Sequence, residues 1–285
     1  MKKVCLVLEG GGNRGVYTAG VLDAFLDNGI VIPNVYGVSA GALNAISYLS
    51  KQKGRSLQIS KDYFRSQECV NFKRVLRGKS IVNLDYLFSE TAETIDLEEF
   101  NKNENFIAVS TNVVTGAPVY KKIDDYKKDI QYIKASASLP IFSKIVEVDS
   151  LKLLDGGISD SIPVVKALAD GFDKVIVVLT RDKNFVCKQY KHMGFYKAKY
   201  LKYPNFIKTM ENRNLKYNVT RDLIDNLQRD GKIMAIYPSE PLTISHLEKD
   251  ENKIDYVYKL GYENAMQIIN EIKKYIGVKE YEKTR

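Results

Sequence analysis

Twice in its first 50 residues the chain passes from a short apolar stretch through a glycine-bearing turn into a helix-forming stretch. Val4 to Leu8 is apolar, and after Glu9 comes Gly10-Gly11-Gly12-Asn13-Arg14-Gly15. Val16, Ala19, Leu22, Phe25 and Leu26 then recur at helical spacing, and Gly29 supplies a stop. Val35 to Val38 forms a second short strand, and Ala40 to Leu49, small and apolar, predicts a buried helix. Strand, helix, strand, helix in this order argues for an α/β domain with a mainly parallel central sheet covered by helices.

Further along, Phe106 to Val114 and Val119 to Ile123 flank Thr115-Gly116-Ala117-Pro118 and predict a hairpin-like pair. Leu151 to Leu154 is a strand that ends at Asp155-Gly156-Gly157. Lys174 to Thr180 is the most strongly β segment, Ile233 to Tyr237 a last strand, and Ile254 to Ile276 a terminal helix. The polar stretch 51–104 predicts helix without nameable chemistry. With 285 residues, 45% of them hydrophobic, the chain can build a large core without disulfide staples. The expected division is a catalytic domain over 1–180 and a mostly helical extension over 181–285 packed on it.

Gly37-Val38-Ser39-Ala40-Gly41 fits G-x-S-x-G between a strand and a helix. So tight a turn strains the serine backbone and exposes its hydroxyl at a helix N-terminus, where free amides can stabilise an oxyanion. The purely structural reading is a small-residue turn packed between strand and helix. Gly10 to Gly15 also closes a strand and opens a helix. It formally contains the dinucleotide pattern G-x-G-x-x-G, but that site needs an acid near the end of the second strand, and no Asp or Glu lies from 28 to 61. Consecutive glycines can instead aim backbone amides at one anionic oxygen, or serve close packing alone.

A base for Ser39 must come from elsewhere in the chain. Only His192 and His246 exist, the first in a basic segment and the second in a polar, surface-like stretch. A triad of Ser39, Asp155 and His246 is possible on paper. Against it, an α/β-hydrolase lays down several strands before its serine turn, whereas only one precedes the strand leading to Ser39. What remains is a Ser39–Asp155 dyad, with a partly buried carboxylate as base. Such a mechanism calls on no metal and no cofactor.

The net charge of +8 is carried by residues 181–216, which hold ten Lys or Arg against two acids. The cations alternate with Phe185, Tyr190, Phe195, Tyr196, Tyr200, Tyr203 and Phe206. One reading is a solvated surface with the rings turned inward; the other is peripheral contact with an anionic membrane. No nucleic acid is expected, for no recognition motif accompanies the charge. No apolar run approaches the ~20 residues of a span. Cys5, Cys69 and Cys187 are odd in number and far apart, which predicts a reduced cytoplasmic protein with peripheral contact at the inner membrane face.

The three motifs together resemble the patatin-like phospholipases, in which a G-G-G-x-R-G loop, a G-x-S-x-G turn and a D-G-G or D-G-A turn follow in this order. Two further stretches, Ala135 to Phe142 and Thr111-Asn112 with Thr115-Gly116, look similar as well. The resemblance spans about residues 4–180. It implies a three-layer α/β/α fold and a lipid acyl hydrolase with Ser39 as nucleophile and Asp155 as base. The amides of Gly11, Gly12 and Ala40 would form the oxyanion hole. Gly10, Asn13, Arg14, Gly15, Gly37, Gly41, Gly156 and Gly157 complete the motif loops, with Arg14 at the family's basic position. The alternative is a membrane-surface binding protein on a catalytically weak hydrolase scaffold.

Overall fold

A computed structural model describes residues 3–62, 66–71, 73–74 and 79–277. The expectation of helix over 51–104 therefore lies in part, at 63–65, 72 and 75–78, outside the described residues, as does the end of the extension from 278. Eight strands form one sheet: β1 (Val4–Leu8), β2 (Asn34–Val38), β3 (Asn105–Asn112), β4 (Pro118–Lys122), β5 (Val146–Val148), β6 (Leu151–Asp155), β7 (Lys174–Val178) and β8 (Ile233–Ile236). Their order is β5-β6-β3-β2-β1-β7-β8, with β4 paired to β3 off this path. β3, β2, β1, β7 and β8 run parallel, whereas β4, β5 and β6 pair antiparallel, so the sheet is mixed at one side.

The helices are α1 (Gly15–Asp27), α2 (Ala40–Leu49), α3 (Arg55–Asp62), α4 (Leu84–Ala92), α5 (Leu97–Phe100), α6 (Tyr126–Ser136) and α7 (Val164–Ala169). After residue 181 come α8 (Met193–Lys199), α9 (Pro204–Arg229), α10 (Glu251–Gln267) and α11 (Ile269–Ile276). The single terminal helix expected over 254–276 is two, broken at Ile268, whose φ of −116° and ψ of 13° leave the helical region. Side chains alternate across β1. Leu6 and Leu8 face a core shared with Tyr17, Phe25 and Ile46, while Cys5 and Val7 face a second one with Val164, Tyr217 and Ile224. Helices thus cover both faces, giving three layers.

The segment after residue 181 is built into this body. β8 extends the parallel sheet beside β7, and α10 lies across α1. That crossing is close because glycines meet backbone: a Cβ on Gly20 would fall 2.0 Å from the Tyr258 carbonyl oxygen, and one on Gly261 2.0 Å from that of Tyr17. The long α9 begins with Pro204 at its first turn, where the missing N–H costs nothing. Among the described residues, no helix is long and apolar enough to cross a membrane.

Candidate active site

Ser39 stands between the end of β2 and the start of α2, with φ 53° and ψ −122°, a region that L-residues avoid. Holding a non-glycine residue there costs on the order of 1–3 kcal/mol, which the packed surroundings must offset. Part of that hold is visible. The Ser39 amide donates to Ser136 Oγ at 2.9 Å, and the Ser39 carbonyl accepts from Ala42 and Leu43. Gly37 and Gly41 let α2 settle onto the strands beneath it, a Cβ at Gly41 falling 2.4 Å from the Leu8 carbonyl oxygen.

Asp155 reaches Ser39 through strand register. Val38 pairs with Val109, so the next row brings Ser39 level with Ser110, and Ser110 pairs with Asp155. Asp155 ends an antiparallel strand, not a parallel one. It comes in from the opposite direction and ends level with Ser39, beside the carboxyl end of parallel strand β2. Its backbone is clamped: the amide donates to the Ser138 carbonyl at 2.9 Å, and Thr111 Oγ1 donates to its carbonyl at 2.8 Å. Asp155 Oδ2 accepts from Ser39 Oγ at 2.6 Å and Oδ1 accepts from the Gly157 amide at 2.7 Å. Both side chains are buried, Ser39 at 5% exposure and Asp155 at 2%. Burial pushes the Asp155 carboxyl up to about 6, while the Ser39 hydroxyl, the Gly157 amide and Arg213 hold it down in part. Gly156 packs beneath Asp155 against the Val109 carbonyl.

The glycine loop lies beside Ser39. A Cβ on Gly10 would sit 2.9 Å from that of Ser39. Gly12 adopts φ 57°, and a Cβ there would meet the His246 carbonyl oxygen at 2.9 Å, so the position requires glycine twice over. The amides of Gly11, Gly12 and Ala40 donate no hydrogen bond to any described group. The loop is tied from outside: the Asn13 amide donates to the His246 carbonyl at 3.2 Å, and Asn13 Nδ2 to that of Glu248 at 2.8 Å. The Gly15 carbonyl accepts from Asn44 Nδ2 of α2 at 2.7 Å.

Several residues of this site carry no motif. Glu9 is buried, and its two oxygens accept from the Thr180 amide at 2.6 Å and from Tyr217 Oη at 2.7 Å, binding β1 to β7 and α9. His246 is exposed, as its polar sequence surroundings suggest. It also meets the glycine loop, with Arg14 Nη1 3.3 Å from its Nε2. Desolvation, then Arg14, Arg181 and Arg213, lower its pKa to about 4. It is neutral at pH 7, and it makes no hydrogen bond with Ser39 or Asp155 among the described residues. His192 precedes α8 as its N-cap and is exposed.

In the basic segment, Tyr200 and Phe206 are buried, and Tyr190, Tyr196 and Tyr203 pack on the same small core. Phe185 packs edge-on against Tyr217. Of the seven rings only Phe195 is exposed, at 59%, near Leu201 at 75%.

Two cavities meet at Ser39. One is a narrow apolar slot of about 70 Å³ formed by Val16, Leu43, Ile59, Val82, Leu84 and Leu247. The other is a wide chamber of about 690 Å³ that reaches Asp155, Arg14, Arg181, Lys188 and Arg213. Gly12, Leu139 and His246 border both.

Residues 203–277 match a domain of unknown function (DUF6363). An uncharacterized protein of Escherichia coli (strain K12), YjjU, is 28% identical over 269 residues, 91% of this chain and 75% of that protein. Lysophospholipase NTE1 of Candida glabrata is 29% identical over 190 residues, which cover 61% of this chain but only 10% of that protein. The crystal structure of VipD from Legionella pneumophila superposes with a TM-score of 0.46 at 15% identity, over 95% of this chain and 67% of that one. Residues 6–168, which hold the glycine loop, the strained serine and the aspartate, match the model of the patatin-like phospholipases, and the chain belongs to that family.

Proposed function

We propose that the chain is a serine hydrolase of lipid acyl esters, with Ser39 as nucleophile and Asp155 as general base. The observation that carries this reading is the 2.6 Å hydrogen bond from the strained serine hydroxyl to a buried carboxylate. As Ser39 Oγ attacks the ester carbonyl, its proton passes to Asp155 Oδ2. The negative charge that gathers on the carbonyl oxygen meets the free amides of Gly11, Gly12 and Ala40, fixed in place before the reaction. Collapse of the tetrahedral species breaks the ester C–O bond, and Asp155 returns its proton to the leaving alcohol. Water, deprotonated by the same carboxylate, then releases the fatty acid and restores Ser39. Serine and aspartate carry every proton in this scheme, so it needs no metal or cofactor. The family and the lysophospholipase among the relatives support a lipid ester as substrate.

The same reading gives residues 1–180 the chemistry and 181–285 the completion of its site. It keeps the chain in the cytoplasm, in accord with three buried, unpaired cysteines. It brings α8 to an anionic membrane surface, where Phe195 and Leu201 stand exposed near Lys191 and Lys202. A fluorophosphonate probe followed by peptide mass spectrometry tests the assignment. The adduct is expected on the peptide bearing Ser39 and absent from Ser39→Ala; an unlabelled native chain would contradict it.

A further inference from the structure

The family match ends at residue 168, yet much of the wide chamber beside Ser39 is built by residues that follow it. Arg181 and Lys188 come from the segment after β7, Arg213 from α9, and His246 from the segment before α10. Arg14 faces them from the glycine loop. Among the described residues, none of Arg14, Arg181, Lys188 and Arg213 forms an ion pair with a carboxylate. Arg14 is 8% exposed and its Nε meets no hydrogen-bond partner. Arg181 is stacked on the Phe185 ring at 4.2 Å, which orients the guanidinium without using its donors. Arg213 is set between Tyr190 and Tyr217 and donates its Nε to the Gly157 carbonyl.

Acids also reach this chamber, namely Glu9, Asp155 and Asp182. Both oxygens of Glu9 and both of Asp155 accept hydrogen bonds, and Asp182 Oδ1 accepts from the Asn184 amide. Arg14 Nη1 lies beside His246 Nε2, and Arg213 Nη1 donates to Cys187 Sγ. Among the described residues, Arg14 Nε, the Arg181 guanidinium and the Lys188 ammonium keep no hydrogen-bond partner, so unpaired cationic donors stand beside carboxylates that are largely committed. Guanidinium forks of this kind suit phosphate, whose oxygens accept several charge-assisted bonds at once. Across Ser39 the slot is apolar and narrow, suited to a single hydrocarbon chain.

We propose that the segment following the family-matched region builds a phosphate-binding wall beside Ser39, in which Arg14, Arg181 and Arg213 hold the headgroup phosphate of an anionic lipid ester while the apolar slot takes its acyl chain. Desolvation, then the nearby Arg181 and Arg213, brings the Arg14 pKa down to about 10, and the crowding of the cations is relieved when an anion enters. The inference rests on Ser39 acting as a lipid-ester nucleophile, and it assigns to the C-terminal region the choice of substrate.

The test compares three esters with one and the same short acyl chain on the full chain: a lysophosphatidylglycerol, a lysophosphatidylcholine and a monoacylglycerol. The expected kcat/KM is highest for the first, lower for the second, whose ammonium meets like charge, and about tenfold lower for the third, which has no phosphate. Arg181→Gln and Lys188→Gln, both distant in sequence from the dyad, are expected to shrink the ratio of first to third, a readout that a general loss of activity leaves unmoved. Calorimetry on Ser39→Ala adds a binding arm with glycerol 3-phosphate as probe. It is expected to bind where glycerol does not, and to lose about tenfold in affinity when Arg181→Gln is added. Equal kcat/KM for all three esters overturns the inference while the hydrolase reading stands. So does tight binding of glycerol 3-phosphate without any preference among the esters, which would mark a site for free phosphate compounds. If none of the esters is cleaved, the hydrolase reading fails, and failure of glycerol 3-phosphate to bind then removes the phosphate wall as well.

Discussion

Ser39 Oγ lies 2.6 Å from Asp155 Oδ2 across 116 residues of sequence, and both residues are held from their backbones. Ser136 fixes the amide of the one, and Ser138 with Thr111 fixes the amide and carbonyl of the other. Burial raises the basicity of this carboxylate to the range where it can take a proton near neutral pH.

The first prediction follows from that shift. Asp155 must be ionised to act as base, so kcat/KM for a soluble ester should fall about tenfold per pH unit below a limb near 6 and level off above it. Arg213 is one of the groups that hold the pKa down. Arg213→Gln should therefore move the acid limb to higher pH. A limb unmoved by this change, in a protein that remains folded by circular dichroism, would separate Arg213 from the base.

The glycine loop gives a second expectation. Gly11→Ala and Gly12→Ala should lower kcat more than they raise KM, because the oxyanion exists only in the transition state. Loss of one such donor costs about 10²–10³ in rate. Steady-state kinetics on a p-nitrophenyl ester reads this directly. Calorimetry with NAD should give no binding, whereas micromolar affinity would return the loop to the dinucleotide reading.

For the surface around α8, co-sedimentation with liposomes is the measurement. Binding should rise with the fraction of anionic lipid and weaken with salt, since attraction of clustered cations is screened over roughly 8–10 Å at physiological ionic strength. Charge reversal at Lys191, Lys197, Lys199 and Lys202 should reduce it, as should Phe195→Ser. Equal binding to neutral and anionic vesicles would leave the segment as a solvated surface.

Much of this architecture is legible in the sequence because its signals are local. Val4 to Leu8, the glycines after it and the helical spacing from Val16 each report on a few neighbouring residues, and the observed elements begin and end close to where these place them. The Ser39 turn is legible for the same reason. The rest depends on distant partners. Glu9 looks like a charge ending a strand, and only the approach of Thr180 and Tyr217 makes it a buried tie. His246 reads as surface and is exposed, but its contact with Arg14, 232 residues away, leaves no local trace. Arg213 is one cation among ten in its segment, and nothing local distinguishes it from Lys208. The alternation of rings and cations over 181–216 does carry a signal: an inward face, which Tyr200 and Phe206 occupy.

The central claim is that Ser39 and Asp155 act as one unit. The direct measurement is fatty acid release from a short-chain lysophospholipid by the native chain, Ser39→Ala, Asp155→Asn and the double variant, with His246→Ala alongside. Each single variant should lose nearly all activity and the double variant should lose no more, as groups sharing one step are not additive. His246→Ala should retain hydrolysis of a soluble ester far above that of Ser39→Ala. A His246→Ala variant as inactive as Ser39→Ala, or an Asp155→Asn variant that keeps most of its activity, would contradict the dyad.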